Sequence, residues 1–169
     1  MLTSGPSRML KFPLLIRDHM FRIVLPILAL LLSACTTGME EDASYYSRET
    51  ARKTYQDVMA ELEVAITERN FRITGHNKIG SVIRERDGDA FPDYDTFQFC
   101  NLTEARIMLE MAPETVAWMP CNIALRQEGS RVIVTTHLLP THSQDPRLRQ
   151  FATSMNEKLK DIVDFAVEE

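Results

Sequence analysis

Cys100 and Cys121 are the side chains of this 169-residue sequence with the widest chemical repertoire. Two thiols at this separation have several uses. In an oxidising compartment they would form a structural disulfide, closing a loop of about twenty residues worth about 3 kcal/mol in the chain-entropy model. Left apart, they would be two buried thiols acting as small hydrophobes. A redox pair is a third use, and Cys100 stands just before a helix cap at Asn101, where a thiol is activated. Joined by Met108, Met111 or Met119, the pair would offer soft sulfur ligands of the kind that suit Cu(I). Strand alternation divides the pair: Cys100 is out of phase with Phe97 and Phe99, whereas Cys121 is in phase with Ile123 and Leu125.

Other chemistry has less to rest on. There is no CxxC and no Met-rich run, and Met108 and Met111 have ordinary core spacing on a helix, so no metal site is expected. His137 and His142 are expected to be solvated or hydrogen-bonded, and His76 to lie on the polar face of its strand. Asp87, Asp89, Asp93 and Asp95 lack the spaced terminal Glu of an EF-hand and read as a solvated acidic loop. Gly75 to Ser81 has phosphate-loop glycine spacing without the Lys, which makes it a strand-to-helix turn. Neither GxSxG nor HExxH occurs. No catalytic residue and no cofactor is assigned, and the ligand is left open.

The third cysteine has a different setting. Ile23 to Leu32 is an unbroken apolar run preceded by Arg22. It is too short to span a bilayer, which takes about 20 helical residues, and suits the h-region of a secretory signal, about 7–15 residues long. Leu32-Ser33-Ala34-Cys35 then resembles the lipobox of bacterial lipoproteins, where the cysteine is acylated and the signal removed ahead of it. This divides the chain into a signal (1–34), a small acidic tether (35–43) and one domain (44–169). The start lies at Met1, Met9 or Met20, of which Met20 gives the most compact n-region. By the same resemblance, Thr36 rather than Asp after Cys35 implies the outer membrane, with the domain facing the periplasm.

Composition fits a folded domain: 44% of residues are hydrophobic and 25% charged. The net charge of −5 argues against a nucleic-acid partner. Loss of Arg8, Lys11, Arg17 and Arg22 against Asp18 alone leaves the remainder more acidic still, so attachment to a bilayer would rest on the acyl chains of Cys35. The periodicities predict a strand at Ser44–Ser47, a helix over Glu49–Asn70, and a strand at Phe71–His76. A short helix at Lys78–Arg86 and a loop at Asp87–Asp93 follow. Next come a strand at Tyr94–Cys100 and a helix opened by an Asn101–Glu104 capping box and limited by Pro113. A hairpin of Asn122–Arg126 with Arg131–His137 precedes a terminal helix buried through Leu148, Phe151, Met155, Leu159, Ile162 and Ala166. The expected fold is α+β, one antiparallel sheet with helices on one face. Tyr94, Thr96, Gln98 and Cys100 of one strand, with Ala124 of the next, would share the uncovered face, where a homodimer or a shallow ligand cleft would form.

Several strings in this order resemble the bacterial family known as domain of unknown function 302. They are Ile66 to Phe71, Phe97 to Asn101, the helix Ala105 to Glu110, and Met119-Pro120-Cys121 opening the hairpin. The resemblance implies a TATA-binding-protein-like α+β architecture that is often a homodimer, and no assigned activity.

The lipobox is checked by intact-mass analysis of membrane-extracted protein. The expected species begins at an acylated Cys35; an unmodified N-terminus upstream of it contradicts the assignment.

Overall fold

Residues 44–168 are the part of the chain described by the computed structural model. The signal and tether assignments, and with them Cys35, lie outside the described residues. Five strands, β1 (Tyr45–Thr50), β2 (Arg72–Lys78), β3 (Tyr94–Cys100), β4 (Cys121–Glu128) and β5 (Arg131–His137), form one sheet in the order β1-β5-β4-β3-β2. Every neighbouring pair is antiparallel. The helices are α1 (Tyr55–Glu68), α2 (Ile79–Asp87), α3 (Leu102–Met111) and α4 (Pro146–Val167), with a 3-10 turn at Pro113–Trp118. The expected α+β class is what the chain adopts.

Alternation decides which face of the sheet is apolar. Phe97, Phe99, Ile123, Leu125, Val132 and Val134 point one way and are fully buried. Val58, Leu62 and Ile66 of α1 and Leu159, Ile162 and Val163 of α4 complete the same core at helical spacing. Polar groups trapped there are partnered. Asn156 of α4 accepts from the Leu139 N–H at 2.7 Å and donates to the Leu139 carbonyl at 2.9 Å. Truncating it would strand two buried backbone groups, at about 1–3 kcal/mol each.

The first helix is shorter than expected. Glu49 and Thr50 pair with Ile133 and Val132 and belong to β1. The helix begins only at a true capping box, where Thr54 Oγ1 accepts from the Asp57 N–H at 3.2 Å and Asp57 accepts from the Thr54 N–H at 3.1 Å. At α3 the cap is Asn101, whose Oδ1 accepts from the N–H groups of Thr103 and Glu104 at 2.9 and 3.2 Å. Glu104 forms an ion pair with Lys158 of α4. Gly80 seats α2 against the chain entering β3: a Cβ there would lie 2.4 Å from the Pro92 carbonyl and 2.8 Å from the Tyr94 nitrogen. That close approach accounts for a glycine which spacing alone had tied to phosphate loops.

The opposite face carries a row of small side chains, with Ser47, Thr135, Ala124, Thr96 and Asn77 in register across all five strands. Ser47 and Thr135 share a hydrogen bond of 2.7 Å, and Asn77 Nδ2 donates to Thr96 Oγ1 at 3.3 Å. Tyr94, Thr96, Gln98 and Ala124 lie on this face, as alternation required, each half-buried.

Candidate functional site

The site forms where β3 stops and β4 starts. Phe99 pairs directly with Cys121, so the next residue of β3, Cys100, ends its strand at the level where β4 opens. The chain leaves β3 through the Asn101 cap, whose Nδ2 also donates to the Asn70 carbonyl at 2.9 Å. It returns through the 3-10 turn and a cis Met119-Pro120 bond into Cys121. Between these segments lies a cavity of about 30 Å³. Cys100 and Cys121 both line it, with Met108 of α3, Met119 before β4 and Met155 of α4. Trp118, Phe71 and Phe151 supply aromatic walls.

Cys121 also lines a second cavity of about 70 Å³, shared with Trp118, Pro120 and His137. Alternation had set the two thiols on opposite faces, but strand ends are free of it, and both reach the first cavity. The two sulfurs are not joined in the structure. Met108 and Met119 of the sulfur inventory are brought in, and Met111 is left packed against the core. Met155 had been read only as part of the buried stripe of α4.

Burial in this apolar setting pushes the Cys121 thiol up from 9.0 to about 11, and repulsion from Cys100 adds to the shift. A thiol so raised is almost wholly protonated at neutral pH. That is the opposite of the depressed values that make redox cysteines reactive.

The other candidates are dispersed. His137 and His142 line a broad groove of about 520 Å³ with Glu157 and Lys160, and the His137 ring meets Tyr45 at 5.0 Å. The acidic loop is divided among separate pairs, Asp87 with Arg86 at 2.6 Å and Asp93 with Arg84 at 2.7 Å. Asp95 is not in the loop at all; it is buried on β3 and meets His76 Nε2 at 2.7 Å. His76 was expected on the polar face and is not there. A bulge between Ile73 and Gly75 inserts an extra residue, so both Ile73 and His76 oppose core phenylalanines, Phe99 and Phe97. The His76 ring stacks on Phe97 at 4.2 Å. Gly75 within the strand was the available sign of a bulge. Nearby, Tyr55 donates to the Leu125 carbonyl at 3.2 Å, and burial beside Asp95 and Asp93 raises its pKa well above that of an ordinary tyrosine. This cluster ties β2, β3 and α1 together. No group of three His, Cys, Asp or Glu side chains able to hold a metal is found among the described residues.

Comparison with known proteins matches residues 46–166 to the family described as domain of unknown function DUF302. The chain belongs to the DUF302 family. A crystal structure of an uncharacterised conserved DUF302 protein from Bacillus stearothermophilus superposes with a TM-score of 0.65 at 18% identity. That match covers 75% of this chain and 99% of that one, and establishes the shared fold. No curated protein matches the sequence. The segments that carried the resemblance, around Phe99-Cys100-Asn101 and Met119-Pro120-Cys121, are those that frame the sulfur-lined cavity.

In reduced protein, alkylation of Cys121 is expected to rise about tenfold per pH unit from about pH 7 to about pH 10, because only the thiolate reacts. Mass spectrometry of quenched time points measures it, and a rate already level by about pH 9 contradicts the burial argument. Run on denatured protein without reductant, the same labelling reports whether Cys100 and Cys121 are bonded.

Proposed function

We propose that this chain is an outer-membrane lipoprotein, held by acyl chains on Cys35, whose DUF302 domain faces the periplasm and acts by binding at the sulfur-lined cavity. The supporting observation is the cavity itself: two thiols and three thioethers around about 30 Å³, walled by aromatic rings. A polar cavity needs at least about 10–15 Å³ to hold a single water, whereas sites for organic ligands run to about 300–1,000 Å³. An ion or a very small molecule is the size of ligand that fits.

A structural disulfide between Cys100 and Cys121 is the second reading, favoured by their access to one cavity. Labelling of both cysteines in denatured, unreduced protein removes it. Thiol–disulfide cycling is less well supported, since a thiol at about 11 attacks slowly at neutral pH.

Binding is tested by thermal melting against a panel of metal ions and small neutral molecules. A ligand at 100 times its Kd adds about 2.7 kcal/mol, which moves the midpoint by several degrees. The expected outcome is a shift in the native protein that is lost in Ala105→Val, which fills the cavity from α3. A panel that moves neither protein sinks the binding reading.

For a protein partner we propose a second copy of the chain, meeting the open face at the Ser47–Asn77 row, whose side chains are short enough to let two sheets approach. Light scattering is expected to give a dimer, with Tyr94→Glu or Gln98→Glu driving it to monomer. A wild-type monomer at tens of micromolar ends this proposal.

A further inference from the structure

We propose that the cavity is a Cu(I) site in which Cys100 and Cys121 are the thiolate ligands and thioethers drawn from Met108, Met119 and Met155, no more than two at a time, complete the coordination. The proposal rests on the binding reading above and names its ligand. Every donor facing the cavity from the two strand ends, α3 and α4 is sulfur, apart from Glu104 and the Asn101 cap. Glu104 is neutralised by Lys158, and the Asn101 carbonyl oxygen of the side chain is already used by two helix N–H groups. Such a donor set selects a soft ion, while Ca²⁺ and Mg²⁺ would find one ion-paired carboxylate where they need six or more oxygens, and Zn²⁺ would find too few ligands of its usual kind.

Binding balances as Cu⁺ plus two thiols giving a dithiolate complex of charge −1 and two protons. No electron is transferred. Trp118 lines the cavity together with the two thiols. The neighbouring cavity at Pro120 and His137 is also lined by Cys121. Because bound thiols must give up their protons, affinity rises with pH, by about tenfold per pH unit for each thiol that ionises only on binding.

The test uses the full chain carrying Cys35→Ser, in which Cys100 and Cys121 are the remaining thiols. It is titrated anaerobically with Cu(I) against bathocuproine disulfonate. One Cu(I) per chain is expected to be retained, with two protons released. Cys100→Ser and Cys121→Ser are expected to weaken retention about 100-fold or more, and Met108→Leu or Met119→Leu about tenfold, with Met111→Leu unchanged. X-ray absorption of the loaded chain, which needs no further variant, is expected to show sulfur alone around copper. Failure to retain Cu(I), retention that survives both serine variants, or an oxygen or nitrogen shell overturns the proposal. If another ligand produces the melting shift that Ala105→Val abolishes, the Cu(I) assignment falls and the binding reading stands. A silent panel removes both.

Discussion

Packing of α4 across the apolar face of the sheet is the interaction on which the rest of the domain depends. Leu159, Ile162, Val163 and Ala166 are fully buried, and each belongs to the last element of the chain. The same helix reaches outward to β1, α1 and α3. Asp164 accepts from Tyr46 of β1 at 2.8 Å, Asp161 takes the Arg69 guanidinium at the end of α1 at 2.6 Å, and Lys158 meets Glu104 on α3. Exposed ion pairs of this kind add little energy. What they do is fix the rotation of a helix whose burial supplies the energy, and that rotation aims Phe151 and Met155 at the cavity.

A sheet covered on one side also explains why the site is at an edge of the core and not in it. Where β3 and β4 run side by side, Phe97 and Ile123 fill the space beneath the helices. Beyond Phe99 and Cys121 the strands part, one into the Asn101 cap and the other back from the 3-10 turn. Small sulfur side chains stand where large hydrocarbons stand elsewhere, and a void of about 30 Å³ remains. Methionine is the side chain best able to line such an irregular gap. The gap is lined by polarisable atoms, which separates it from an ordinary packing defect.

Much of this was legible because local patterns and tertiary contacts agreed. The alternation of β3, β4 and β5 and the apolar stripe of α4 are each set by burial of one face, which a sequence displays directly. The reading broke down where a distant partner decides the outcome. Glu49 and Thr50 continue a helical pattern on paper, yet pairing with β5 holds them in β1. Against an alternation that pointed it outward, the bulge before Gly75 turns the half-buried His76 inward, where the Asp95 carboxylate on the neighbouring strand partners its ring. At the site, alternation separated Cys100 from Cys121, and the end of the strand brought them to one cavity. The methionines were less legible still: i, i+3 spacing cannot tell Met108, which faces the cavity, from Met111, which does not.

The chemistry at Cys121 turns on how protonation and burial oppose each other. An isolated thiolate in this apolar pocket is costly, and so the thiol holds its proton up to about pH 11. Nucleophilic work at neutral pH is therefore poorly served, because a nucleophile needs the charge exposed and available. A soft cation would change the balance, since it leaves one net negative charge shared by two thiolates where the bare anions would carry two. On the Cu(I) reading, the burial that suppresses reactivity would become a source of selectivity among cations: one that binds through the thiols must replace their protons and be small enough for the cavity. Hard cations fail the first condition and organic cations the second.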